Sequence, residues 1–442
     1  MDRQRRESRS ARRGHDGRRR EEVVALSLPA VNRGARATAV RAIVLMGFSL
    51  PISTALDNIL LGVVLIAFLL SGRYREKLGS IVRNPAALAL AGLFALLAFG
   101  ILYGEAPFAD RLKYLYKYSD LLLAALMVSL LADGRVGGRA LLAFGAAMVL
   151  TLVLSLLLAS GLLPAAKWLH GNPANAVVFK LQITHNLLMA IAAFLFASVA
   201  IREPVAWRRR VLHGLALAAY IDVFFLVVGR TGQVALVVLT PYFFWRHFGW
   251  RGFLAGVLLS ATTVIAAWHW SPAFSDRLVL TAAEYQHSQT EQLAEKSNSV
   301  GQRMEWYRNT VRLVMERPLL GHGTGGFPRA YADFITAPGA SRPAHPHNQY
   351  LMMAAENGLV GLVAFIAVLI WLWWMTRRIP ALLQQDLARG FLITFSIGCM
   401  FNSLLLDHVE GLLFAWMLAL TFAGTDVGGR THSDVGVPGR LS

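Results

Sequence analysis

Apolar runs of about twenty residues recur along most of this 442-residue chain, separated by short polar segments. A run of that length, wound as a helix, matches the hydrocarbon thickness of a bilayer. Lipid leaves the backbone little choice of conformation, because an amide without a partner is too costly there. The pattern therefore predicts an all-α polytopic membrane protein with about twelve transmembrane helices, over roughly 38–54, 57–72, 85–103, 115–132, 139–162, 183–201, 211–228, 231–247, 252–270, 356–375, 388–406 and 408–424. One polar interval, 271–355, is far longer than the connections between packed elements usually are, and such loops are functional or disordered. Here order is favoured: Met304, Tyr307, Val311 and Val314 recur at three- and four-residue steps, giving an amphipathic helix from about Ser299 to Glu316 that Pro318 stops. The chain thus divides into a basic tail (1–37), nine helices (38–270), the long loop (271–355), three helices (356–424) and a short tail (425–442).

Composition agrees, since hydrophobic residues make up 55%, charged residues 16%, and mean hydropathy is +0.49. Charge adds orientation. Nine arginines crowd the first twenty residues, and the even-numbered junctions add Arg73, Arg75, Lys77 and Arg83, then Arg135 and Arg139, then Arg202 and Arg208 to Arg210, then Arg246 and Arg251, then Arg377, Arg378 and Arg389. By the positive-inside rule these junctions and both termini are cytoplasmic, and the long loop is outside. The net charge of +17 is mostly this topology signal. It does not mark a nucleic-acid partner, because the basic tail lacks interleaved aromatics; the tail is expected to be disordered and to touch anionic membrane lipids. It does not read as a cleavable signal peptide, having no small-residue cleavage site after a short apolar region. Cys399 is the sole cysteine, which excludes disulfides within the chain and cysteine metal clusters.

Candidate chemistry lies on the outward side. His347 precedes Asn348, a good N-cap for a helix beginning at Gln349, and the positive end of that helix would keep the imidazole neutral and able to accept a proton. Two readings compete with a general base: a surface histidine stiffened by Pro346, and a zinc site built from His345 and His347, with His322 as the only third ligand at hand. The glycines at 321, 323, 325 and 326 lack the Gly-Lys-Ser/Thr ending of a P-loop and more naturally form a close turn against the membrane helices. Arg230, in a turn between two strongly apolar spans, runs against the charge bias; its planar fork suits phosphate oxygens, and interfacial anchoring is the alternative. Arg303, early in the amphipathic helix, either meets an anionic partner or pairs with Glu305 or Glu284. Arg111, Lys113 and Lys117 form a further positive outward segment, available to a substrate or marking an interfacial helix.

The segments Arg303-Met304-Glu305-Trp306, Pro318 to Phe327 (PLLGHGTGGF), His347 to Leu351 (HNQYL) and Ala355 to Gly361 (AENGLVG) resemble the O-antigen ligase and polymerase superfamily. The resemblance covers the outer loop and the helix after it well, and the other helices only in general pattern. It implies a glycosyltransferase C-like membrane fold with a periplasmic loop, and an inverting, metal-independent, cofactor-free transfer of a glycan from undecaprenyl pyrophosphate to the lipid A-core oligosaccharide of lipopolysaccharide. It also implies roles: His347 as catalytic base, Arg230 and Arg303 on the pyrophosphate, with Lys113, Lys117 and Asn348 as further substrate-binding candidates. The chemistry is coherent, because the donor carries a good leaving group and the enzyme need only deprotonate an acceptor hydroxyl, align it and meet the departing charge. No Asp-x-Asp motif appears outside, although Asp407, His408 and Glu410 form an acidic cluster that could argue for metal. A polymerase joining repeat units on the carrier, or another undecaprenyl-pyrophosphate-dependent oligosaccharide transferase such as a protein-glycosylating relative, would use the same steps, and a lipid-carrier flippase or transporter is the alternative from another class.

Overall fold

The computed structural model describes residues 32–131, 136–164, 166, 168–271, 274–275, 279, 299–335 and 343–425. The basic N-terminal tail through residue 31, Arg135, Glu284 and the C-terminal tail from residue 426 lie outside them. The described residues are helical nearly throughout, with one isolated bridge between Asn172 and Asn175.

We number the helices α1 (32–49), α2 (Thr54–Leu70), α3 (Tyr74–Arg83), α4 (Pro85–Tyr103), α5 (Phe108–Lys117), α6 (Asp120–Leu130), α7 (Val136–Ala159), α8 (Gln182–Ala200), α9 (Ala206–Ile221), α10 (Arg230–Trp270), α11 (Ser299–Glu316), α12 (Phe327–Ala332), α13 (Gln349–Met375), α14 (Leu382–Phe401) and α15 (His408–Phe422). Among the described residues, five are long and apolar enough to cross a membrane: α4, α7, α8, α10 and α13 with the short turn after it. The count is six if α2 and α3, bent by 115°, form one span. The chain is a multi-pass membrane protein. The twelve expected spans are only partly matched by helices of that length and apolarity; at the other expected positions α1, α6, α9, α14 and α15 are shorter or less apolar.

One expectation changes in detail. The run 115–132 is broken, because Lys117 and Asp120 interrupt it: α5 is amphipathic, and α6 is short and deeply buried. The two spans expected between 231 and 270 are present as the two helical halves of α10, which fold back on each other at Gly249, whose φ of 65° suits glycine. The helix expected to begin at Gln349 and run toward the span after Glu356 does so, with a kink between the two at Asn357 and Gly358.

Helices α8 and α15 are buried on nearly every side and form the centre, around the fully buried Trp416, whose indole N–H donates to the Ile43 carbonyl at 2.8 Å. The outward faces of the peripheral helices carry exposed Leu102, Leu142 and Leu258. One end of the bundle is knit by charge. Asp386, wholly buried at the start of α14, receives Arg202 from the end of α8 and Arg246 from α10, the latter at 2.8 Å. At the same end Asn84 caps α4 and donates to Phe422 at the end of α15 (2.7 Å). The candidate chemistry lies at the opposite end.

Candidate active site

The site grows from the cap of α13. Asn348 holds the extended backbone of an N-cap, and its Oδ1 accepts the amides of Tyr350 and Leu351 at 3.0 and 3.1 Å, so the helix starts at Gln349 as the sequence predicts. The other end of the same amide donates to the Met400 carbonyl at 3.2 Å. Asn348, a substrate-binding candidate by sequence, therefore spends its polar atoms on positioning. Immediately before it, His347 has φ of 53°, a left-handed conformation that costs free energy for a non-glycine residue. It is held there on three sides: its N–H donates to His345 Nδ1 (3.2 Å), the Tyr307 hydroxyl reaches its carbonyl (3.1 Å), and the Trp306 indole stacks on its ring at 5.2 Å and 16°.

The imidazole is also oriented. Asn402 donates from Nδ2 to the Asp407 carboxylate, which leaves its Oδ1 to face His347 Nδ1 at 3.0 Å. That oxygen can only accept, so the proton sits on Nδ1 and the lone pair on Nε2, the tautomer a general base needs. Burial and the nearby Arg303 cation lower the pKa of His347 below the ordinary imidazole value, against the opposing Asn402 bond. His345 is pushed down further, to about 3, by burial, His347, Lys117 and Arg303. Both rings are thus neutral at physiological pH. Burial raises the pKa of Asp407, opposed by the Asn402 bond and by Lys117.

Of the residues singled out by sequence, Arg303 and Lys117 come to this histidine pair from α11 and from the end of α5. The Tyr114 hydroxyl donates to the Ala344 carbonyl at 2.6 Å and ties α5 to the loop, with the Lys117 ammonium 5.5 Å from the Tyr114 ring. Lys113, one turn earlier, is exposed, and Arg111 turns back to donate to Ile101. Arg230 is the first residue of α10 rather than the middle of a turn, and Gly229 before it packs on Asn186, whose Nδ2 donates to the Gly229 carbonyl at 2.7 Å. Contacts link it to the same end of the bundle: Asn186 lies in the second turn of α8, where Thr184 donates to Glu410 of α15, and Asp407 precedes that helix.

The zinc reading loses its third ligand. His322 is buried with Nε2 3.2 Å from the Leu313 carbonyl, and among the described residues no group of three His, Cys, Asp or Glu side chains could hold a metal ion. The glycine stretch is a close turn against the membrane helices, as expected, and its amides are taken. His322 N donates to Ala355 O (3.0 Å), Gly323 N to Glu356 O (2.7 Å) and Gly325 N to Glu356 Oε1 (2.7 Å). Glu356 accepts also from the Tyr118 hydroxyl (3.2 Å), so a fully buried carboxylate locks this loop to α13 and α6's approach. Helix α11 spans Ser299–Glu316 as predicted, but its buried residues are Asn309, Thr310 and Leu313, with Trp306 half-buried beside them, while Val311 is exposed.

Sequence reasoning missed Asn402, Trp306 and the role of Asp407. Asn402 lay inside what reads as an apolar span, and only its polar neighbours Ser403 and Asp407 hinted at a break. Trp306 sits one helical step from Arg303, a signal that was available.

Residues 214–366 match the family model described as O-antigen ligase. The matched stretch runs from α9 through α10, the long loop and the kink of α13, so it contains Arg230, Arg303 and His347, while Lys117, Asn402 and Asp407 lie outside it. No curated protein matches the chain at a significant level. The resemblance seen in the outer-loop motifs is thereby borne out over this stretch.

Proposed function

We propose that this protein is an inverting glycosyltransferase of the O-antigen ligase kind that moves O-antigen polysaccharide from undecaprenyl pyrophosphate to the lipid A-core oligosaccharide, at the periplasmic face of the bacterial inner membrane. The observation that carries the reading is the Asp407–Asn402–His347 relay, which leaves the lone pair on Nε2 of a neutral imidazole beside Arg303 and Lys117. His347 takes the proton of an acceptor hydroxyl as that oxygen attacks the anomeric carbon. The bond from that carbon to the pyrophosphate oxygen breaks, and the carrier leaves with the bonding electrons. Arg303 and Arg230 meet the growing phosphate charge, for which a guanidinium fork is suited in shape as well as sign. Attack opposite the leaving group inverts the anomeric centre. Every charge in this scheme is met by a side chain, so the reaction is proposed to need no metal and no cofactor. Asn348 and His345 position the base, and Lys113 and Lys117 lend positive charge to the approach of the donor.

The proposed topology has twelve crossings, with both tails cytoplasmic. It is supported by the alternation of helix ends: the Arg202, Arg246 and Asp386 cluster sits at one end, and His347, Asp407 and the starts of α8, α10, α13 and α15 sit at the other.

Reconstitution with a polyprenyl-pyrophosphate glycan and lipid A bearing core sugars tests the reading. Glycosylated lipid A should form, with chelator present, and His347→Ala should lower turnover about 10²–10⁴-fold while donor still binds. Elongated glycan that stays on the carrier would instead make the protein a polymerase, and normal turnover by His347→Ala would remove the assigned base.

A further inference from the structure

The α7–α8 connection is folded against the outer end of the bundle, and beneath it lies a cavity of about 640 Å³ that the scheme above does not use. The volume falls within the range of small-ligand sites. Its lining mixes two aromatic rings, Trp168 and Phe179, with Ser53, Thr54, Lys180 and Thr184. The rings stack at 5.9 Å and 27°, and Trp168 is half exposed to the opening. The polar floor is held in place: the Lys180 ammonium, 8% exposed, donates to Thr54 Oγ1 at 2.9 Å and lies 3.7 Å from Asp57, and Thr184 donates to Glu410.

The loop is also tied to both halves of the proposed reaction centre. Ala176 N donates to Leu226 O (2.8 Å) and Val228 N to Asn175 Oδ1 (3.0 Å), so the segment leading into Arg230 is fixed to it. From beneath, Ser155 donates to the Ala176 carbonyl at 2.9 Å. On the other side Val409 lines the cavity, two residues from the Asp407 that orients Asn402 and His347. The cavity therefore borders the start of the helix that follows the base relay, and the loop that lines it is bonded to the segment leading into Arg230.

We propose that this cavity is a saccharide subsite, in which a sugar ring lies on the Trp168 face and its hydroxyls bond to the polar floor. A pyranose ring has a C–H-rich face that is apolar and a rim of hydroxyls that is not, and this lining offers a matching surface for each. A lipid tail would cover the polar floor without bonding to any of it. Phosphate would find a lysine already matched by Asp57. The sugar could come from the donor glycan or from the acceptor core; the chemistry of recognition is common to both. The inference rests on the glycosyl-transfer reading for its substrates, but not for the existence of the subsite.

The test uses full-length protein in lipid nanodiscs, with wild type, Trp168→Ala, Trp168→Phe and Phe179→Leu compared. Steady-state transfer with the donor and acceptor named above should show a KM raised about three- to tenfold for one substrate in Trp168→Ala, with kcat within about twofold and Trp168→Phe largely restored. A change confined to donor KM assigns the sugar to the donor glycan, and one confined to acceptor KM assigns it to the core. Unchanged KM for both substrates in Trp168→Ala and Phe179→Leu overturns the subsite. In parallel, saturation-transfer NMR with soluble core oligosaccharide and with released donor glycan should show contact that Trp168→Ala loses. If wild type transfers nothing, the functional reading fails; the NMR arm still decides the subsite, which stands on Trp168-dependent contact and falls without it. Should Trp168→Ala not insert, Trp168→Leu and Phe179→Leu carry both measurements.

Discussion

At the scale of single residues, the depressed pKa of His347 sets a pH dependence that can be measured. A base must be unprotonated to work, and burial with Arg303 close by keeps His347 unprotonated below the ordinary imidazole pKa of about 6.5. The acidic limb of kcat should therefore fall below that value, with activity lost as pH drops through the lowered pKa. Arg303→Gln removes a neighbouring cation, so it should move that limb upward as well as weaken transfer; an unmoved limb would mean that His347 is not the titrating base. The arginines themselves are tested by shape. Arg230→Lys and Arg303→Lys keep the charge and lose the fork, so donor affinity and transfer should both drop, with alanine worse; wild-type values for the lysine variants would remove the phosphate assignment. Asn402→Leu offers a third measurement. Without the acceptor oxygen nothing favours a proton on Nδ1, so kcat should fall about tenfold or more with little change in KM. His347 and Arg303 could be singled out as candidates from sequence because a histidine beside a capping asparagine and a cation in a polar loop are local patterns. Asn402 could not, since its partner lies 55 residues away and its own surroundings are apolar.

At the scale of elements, the kink of α13 decides how the loop and the site are joined. Gly358 has φ of 63°, and a Cβ there would stand 2.1 Å from the Leu319 carbonyl oxygen. The freed backbone is used: Leu359 N donates to Pro318 O at 2.7 Å, and the loop packs into the bend with Glu356 as its acceptor. Gly358→Ala should therefore cost about 1–3 kcal/mol, seen as a lower thermal midpoint in detergent, with loss of transfer from protein that still reaches the membrane. An unchanged midpoint would show that the bend is not enforced by this glycine. The Ala-Glu-Asn-Gly motif was visible in the sequence as the entrance to a span. Its work as a clasp was not, because that depends on a contact from Gly325, 31 residues earlier. By contrast the bounds of α11 were readable, since a three- and four-residue rhythm is a property of the helix alone; which of its faces is buried was not, because Thr310 and Leu313 are chosen by what packs on them.

At the scale of the whole molecule, charge does two jobs that the sequence presents as one. Arg202 and Arg246 count toward the positive-inside signal, and the same side chains converge on buried Asp386 to join α8, α10 and α14. The opposite end collects the starts of α8, α10, α13 and α15, whose positive dipole ends suit an anionic donor such as a pyrophosphate. If the proposed orientation holds, that end faces the periplasm. Because Cys399 is buried, a Cys399→Ser background with single new cysteines can read the sidedness directly. Lys113→Cys, exposed on α5, should react with a membrane-impermeant maleimide once the outer membrane is permeabilised. Arg209→Cys, exposed at the start of α9, should react only after the inner membrane is broken. The reverse pattern would turn the molecule over and place His347 in the cytoplasm, where a glycan carried outside could not reach it. Equal labelling of both sites before lysis would mean that the two ends of the bundle are not on opposite sides of a membrane, and the twelve-crossing arrangement would fall with them.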